Sequence, residues 1–218
     1  MSTVYLIRHG QAGTRANYDA LSPLGHQQGQ LLGDYLASQG VSFDAAVAGE
    51  LTRQQRTARE VLDRLPDAPD LVTDPAWNEF DLDGCYRALA PLLCDDDPQF
   101  QRDYDAQKLN PRDREWTACD IAVVRAWIFN KYPSDIESWP DFQARVKSAQ
   151  LPDGDVAVFT SATPTGIWVA AALGLDGRQI LRLAASLHNS SFTVLRHQNL
   201  HTFNSTPHLP LPQQRTYR

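Results

Sequence analysis

Apolar and polar positions along the chain fall into two rhythms: short unbroken apolar runs, and longer stretches with an apolar residue every three or four positions. Val4-Tyr5-Leu6-Ile7 is a run of the first kind and breaks abruptly at Arg8-His9-Gly10, as in a buried strand that delivers polar groups at its carboxyl end. The second rhythm follows. Ser22 is a cap, Pro23 suits the first helical position, Leu24, Leu31, Leu32, Tyr35 and Leu36 recur at helical spacing, and Gly40 stops the helix. Phe43–Ala48 reads as a second strand. Leu51–Leu65 reads as a second helix, with Ala58, Val61, Leu62 and Leu65 on one face and Pro66 at its end.

Between about Asp81 and Gln150 the pattern changes. Tryptophans and aspartates are scattered, Asp95-Asp96-Asp97-Pro98 is a helix start, and Ile121–Phe129 is amphipathic, so the segment reads as a mostly helical insertion. Strand-helix order returns with Asp155–Thr160, then a small-residue helix through Trp168, Ala170, Ala171 and Leu173 to Gly174. Phe192–Leu195 and Leu200–Phe203, separated by Arg196–Asn199, predict a hairpin, and Pro207–Arg218 reads as a proline-rich tail. Together these elements predict an α/β fold: a three-layer α/β/α sandwich with a mostly parallel central sheet, one domain over residues 1–218, and a helical cap insertion at about 81–150.

Composition narrows the function classes. A chain of 218 residues with 42% hydrophobic and 21% charged residues is an ordinary globular domain. The formal charge of −6 argues against a nucleic-acid surface or an anionic membrane as partner. The longest apolar candidate, Gly166–Leu175, is about half of the ~20 residues needed to cross a bilayer. With no basic, apolar leader in MSTVYLIRHG, a cytoplasmic location is expected. Cys85, Cys94 and Cys119 have neither disulfide nor zinc-ligand spacing and are expected to be reduced and structural.

Ligands of open α/β sheets bind beyond the carboxyl ends of the strands, so Arg8-His9-Gly10, Glu50–Arg56 and Thr160–Thr163 carry the chemical interest. His9 is a candidate nucleophile, because a neutral imidazole can attack phosphorus and split one displacement into two. Arg8 and Arg53 are planar, permanently charged donors suited to phosphoryl oxygens, and Gly10 allows close approach of a ligand to the backbone. The alternative is purely structural: His9 ends a strand and Arg53 is a solvated helix residue.

In combination, these residues are more specific. Val4-Tyr5-Leu6-Ile7-Arg8-His9-Gly10-Gln11-Ala12 resembles the opening signature of the histidine phosphatase superfamily, the phosphoglycerate mutase-like enzymes. Leu21-Ser22-Pro23-Leu24-Gly25 with Gln28, Leu51-Thr52-Arg53 with Thr57-Ala58, Trp77-Asn78-Glu79, and Asp155–Gly174 are similar to later family segments, in order. The resemblance implies His9 as the phosphorylated nucleophile, Arg8 and Arg53 as phosphate ligands, Glu79 as the acid and base, and no metal. Asp81 and Asp83 are competitors for the role of Glu79.

Two departures qualify this likeness. Where the family usually has Ser-His-Gly, this chain has Thr160-Ser161-Ala162-Thr163. Counting back from Leu173-Gly174-Leu175 puts Ser161 in the histidine's slot, or Ala162 after a one-residue shift; the sequence resembles a branch with serine there. His188 and His208 are alternative substitutes, while His26, His197 and His201 are assigned to surface or hairpin. Secondly, the mutases' asparagine is displaced in Gly13-Thr14-Arg15-Ala16-Asn17, which disfavours mutase activity and makes Arg15 an additional candidate phosphate ligand. The expected activity is metal-independent phosphomonoester hydrolysis on a small phosphorylated substrate, with inorganic phosphate as product. A catalytically weak phosphate- or partner-binding protein is the alternative, and a mutase-type phosphotransferase ranks below both. The insertion, with Trp116, Trp127, Phe129, Tyr132 and Trp139, is expected to cap the pocket and choose the substrate, or else those aromatics are core.

Overall fold

The computed structural model describes residues 3–14, 17–109 and 116–217. These form two compact units, Phe80–Arg145 and the flanking Met1–Glu79 with Val146–Arg218.

The flanking unit is built on a six-stranded sheet of order β3-β2-β4-β1-β5-β6, with β1 Thr3–Arg8, β2 Ala45–Ala48, β3 Leu71–Thr73, β4 Asp155–Thr160, β5 Phe192–Arg196 and β6 Asn199–Ser205. The first four strands are parallel, and β5 and β6 close the sheet antiparallel, so it is mostly parallel. Successive residues of a strand point to opposite faces. Ile7, Ala46, Ala48, Ala157 and Phe159 accordingly meet Leu32 and Leu36 of α1 (Pro23–Ser38) and Ala58 and Val61 of α2 (Thr52–Leu62). On the other face Leu6, Val47, Val156 and Val158 meet Trp77, Trp168 and Ala172, the last two from α7 (Ala162–Leu173). The sandwich is therefore three-layered.

Ser22 caps α1, accepting the Gly25 N–H at 3.0 Å, and Gly174 ends α7 in the left-handed region at φ 65°. The second strand is shorter than Phe43–Ala48: Phe43 is buried, but ladder pairing begins only at Ala45. The hairpin turns on His197 and Gln198, both at positive φ, rather than over the whole of Arg196–Asn199.

The inserted unit is helical, as expected: α3 Leu82–Asp96, α4 Pro98–Leu109, α5 Ala118–Ile128, and most of α6, Trp139–Lys147. Asp97 stands before α4 and accepts the Gln99 and Phe100 N–H groups. Trp127 and Trp139 are interior, packed with Phe80 and Phe142, whereas Trp116 and Phe129 are exposed and Tyr132 donates to Asp96. Asp81 caps α3 and pairs with Arg87, and Asp83 lies exposed in the first turn of the same helix.

Candidate active site

Parallel pairing sets the frame. Arg8 and Thr160 are register partners on β1 and β4, and the His9 N–H donates to the Thr160 carbonyl at 2.9 Å, so His9 and Ser161 leave neighbouring strands side by side. The helix α2 follows β2, on the other side of β4, and its consecutive residues Arg53 and Gln54 reach both strand ends.

His9 is buried, with Nδ1 2.7 Å from the Gly10 carbonyl. A carbonyl only accepts, so Nδ1 carries the proton and the neutral ring keeps its lone pair on Nε2. Arg53 Nε points at that Nε2 over 3.3 Å. Burial first, and then the charges of Arg53 and Arg8, hold the His9 pKa well below the usual histidine range. The ring is thus neutral, correctly tautomeric and surrounded by cations.

Arg53 is itself held from two sides. Nη1 pairs with Asp19 at 2.9 Å, and the guanidinium lies over the Tyr18 ring at 4.9 Å. Asp19 also accepts the Thr52 N–H at the start of α2.

Arg8 is tied down differently. Both terminal nitrogens donate to backbone carbonyls, Nη1 to Leu187 and Nη2 to Tyr217, while its buried Nε has no partner among the described residues. Burial lowers its pKa, and the nearby charge of Glu79 acts in the opposite direction. Nε is thus the nitrogen of this guanidinium left without a hydrogen-bond partner among the described residues.

The segment that reads as a tail is part of this structure. Leu209 and His208 are buried, Gln28 donates to the Gln214 carbonyl and to the Thr216 hydroxyl, and Thr216 exchanges two hydrogen bonds with Asn189. Asn189 in turn donates to the His9 carbonyl. None of this was visible as periodicity, because most of it is backbone carbonyls meeting polar side chains.

Gly10 serves packing. A Cβ there would lie 2.4 Å from the Gly25 carbonyl oxygen, and the Gly10 N–H is used by the Thr57 hydroxyl at 3.0 Å. Gly10 thus seats the loop on α1 and α2. Glu79 is half-buried and accepts the Thr163 N–H at 3.1 Å in the first turn of α7. Ser161 is buried, at the N-cap position of α7, with Oγ 2.9 Å from Gln54 Nε2. Arg15 lies outside the described residues.

Three other histidines have partners of their own. His188 packs tilted against Tyr217 with ring centroids 4.3 Å apart, His208 bonds Ser190, and His26 pairs with Glu60. Among the described residues, no three His, Cys, Asp or Glu side chains gather as a metal site. No helix there is long and apolar enough to cross a membrane.

Residues 4–116 match the family model of the histidine phosphatase superfamily (branch 1), and the chain belongs to that superfamily. Among curated proteins it is 26% identical over 148 residues to the Caenorhabditis elegans mitochondrial serine/threonine-protein phosphatase Pgam5, covering 62% of this chain and 52% of that one. It is 37% identical over 103 residues to the 2,3-bisphosphoglycerate-dependent phosphoglycerate mutase of Rhizobium johnstonii, covering 43% and 46%. The matched stretch thus spans about half the length of these relatives. In fold it is similar to the mycobacterial glucosyl-3-phosphoglycerate phosphatase solved with inorganic phosphate, with a TM-score of 0.62, 21% identity, and coverage of 94% and 98%.

Proposed function

We propose that the chain is a metal-independent phosphomonoester hydrolase that works through a phosphohistidine on His9 and takes small phosphorylated substrates. The observation that carries this reading is the His9 ring: the Gly10 carbonyl fixes the proton on Nδ1, and the lone pair on Nε2 faces Arg53. In the first step Nε2 attacks phosphorus, the P–O bond to the leaving group breaks, and Glu79 gives that oxygen its proton. In the second step Glu79 takes a proton from water, the oxygen of that water attacks phosphorus, and the P–N bond breaks to release inorganic phosphate and neutral His9. Arg53 and the unpartnered Nε of Arg8 hold the non-bridging oxygens, and Ser161 offers a neutral donor.

Curated relatives carry phosphatase and mutase names, and a fold neighbour holds inorganic phosphate, which supports phosphoryl chemistry here. A panel of phosphomonoesters, assayed for released phosphate with His9→Ala as control, tests it. Release by the natural protein alone is the expected result. Transfer of the phosphoryl group to an added hydroxyl compound instead of water would favour the mutase reading. Phosphate binding without release from any ester would favour the binding-protein reading.

A further inference from the structure

Gln54 is fully buried on the inner face of α2, beside Arg53, Thr57 and Ala58, and its amide has a fixed orientation. Nε2 donates to the Trp77 carbonyl at 3.1 Å and to Ser161 Oγ at 2.9 Å. A carbonyl cannot donate, so the nitrogen must occupy that side. Oε1 is turned toward Gly49, where an added Cβ would stand 2.1 Å from it, and the oxygen has no hydrogen-bond partner among the described residues.

That orientation determines what Ser161 can do. A hydroxyl has one proton to give and two lone pairs. Gln54 occupies a lone pair, so the bond leaves the proton of Ser161 free. A serine at a helix N-cap ordinarily accepts an N–H from the first turn of its own helix. Ser161 makes no such bond, and its hydroxyl proton meets no acceptor among the described residues. Its strand neighbour is His9, whose Nε2 receives the side chain of the residue preceding Gln54.

We infer that Gln54 is a positioning residue which, by donating to Ser161 Oγ, turns the serine proton toward the phosphoryl group on or approaching His9. Arg53 and Gln54 then act as a pair: one addresses the nucleophile and the phosphate directly, and the other acts through Ser161. This inference rests on the phosphohistidine reading above and adds a device to it. A neutral, oriented hydroxyl takes the place of a charged donor, and its direction is set from α2.

A double-mutant cycle tests the device in the full chain. Gln54→Met keeps length and bulk but cannot donate, and the rate of His9 phosphorylation should fall by about tenfold to 10²-fold, with substrate KM moving much less. Ser161→Ala should cost a similar factor, and Gln54→Met added to Ser161→Ala should cost almost nothing more. A full further loss in the Ser161→Ala background, or an unchanged phosphorylation rate in Gln54→Met, overturns the proposal. If Gln54→Met does not fold, a crystal structure of the natural protein with vanadate decides. Ser161 Oγ should lie within hydrogen-bond distance of a vanadate oxygen while Gln54 Nε2 still holds it; Ser161 turned away, or Gln54 itself on the vanadate, refutes the assignment. Absence of any phosphohistidine in the natural protein would instead remove the functional reading.

Discussion

Arg53 Nε stands 3.3 Å from Nε2 of His9, so the cation that would receive a phosphoryl oxygen already touches the atom that would attack phosphorus. With Nη1 pinned by Asp19, the guanidinium has little freedom to swing away. Replacement by Arg53→Lys keeps a charge but loses the planar fork, and kcat/KM should fall by about 10²–10³ with the folded structure intact. Steady-state kinetics beside a thermal melt check this; a loss within threefold would place phosphate binding elsewhere.

Asp19 offers a second test. In Asp19→Asn the single amide oxygen can still accept from Arg53, while the Thr52 N–H loses its acceptor and the negative charge is gone. Inorganic phosphate should then inhibit at a concentration lower by about three- to tenfold. Weaker inhibition would show that the charge of Asp19, rather than its geometry, holds Arg53 in place.

Ser161→His on its own should not raise activity. The site is buried and Gln54 Nε2 lies 2.9 Å from Oγ, so an imidazole there would displace that contact. Ser161→His combined with Gln54→Ala opens that space and should exceed the single variant in turnover. Equal or higher activity of Ser161→His alone relative to the natural protein would show that the slot is larger than its packing indicates.

Acid should destabilise the fold through His208. Burial lowers its pKa to about 4, and among the described residues only Nε2 has a hydrogen-bond partner, Ser190. A histidine depressed in the folded state binds fewer protons there than when unfolded. Its stabilising contribution is therefore complete above the unfolded value near 6.5 and is lost as pH falls toward 4. That window is worth about 3 kcal/mol. Urea melts across it should show the loss, and His208→Phe should flatten the dependence by that amount; an unchanged slope would assign acid sensitivity to other groups, His9 foremost.

Truncation after Arg215 tests the link between the 214–217 segment and Arg8. Losing the Tyr217 carbonyl and Thr216 frees one edge of the guanidinium and unties Asn189 from its partner. Phosphate affinity should fall, whereas Tyr217→Ala, which keeps the carbonyl, should bind phosphate nearly as the natural chain does. Equal losses in both would credit the tyrosine ring and its packing against His188 instead.

Much of the architecture was legible because it is written as periodicity. β1, α1 with its Ser22 cap, β4, α7 ending at Gly174 and the antiparallel hairpin all follow from apolar spacing and cap chemistry. β3 carries no such signal: it is only Leu71–Thr73, largely exposed on the sheet edge, set among aspartates and prolines. The amphipathic helix α8, Gly177–Ser186, carries a weaker signal in Ile180, Ala184 and the following Leu187, all buried. At the site, His9, Arg8, Arg53, Glu79 and Ser161 are placed at or beside the strand ends. Gln54 could not be told from the neighbouring Gln55, since a one-residue difference in helix phase decides which glutamine is buried and which is not. The 214–217 segment was unreadable for a related reason: its contacts use carbonyls, which every residue has.

The most direct test of the central claim is to mix the protein with a phosphomonoester, quench within the first turnover, and locate the phosphate by mass spectrometry of peptides kept at alkaline pH. A phosphoryl group should appear on His9, stable to base and labile to acid, and should be absent in His9→Ala. Turnover of the ester with His9 unmodified, or with the label on another residue, would contradict the account.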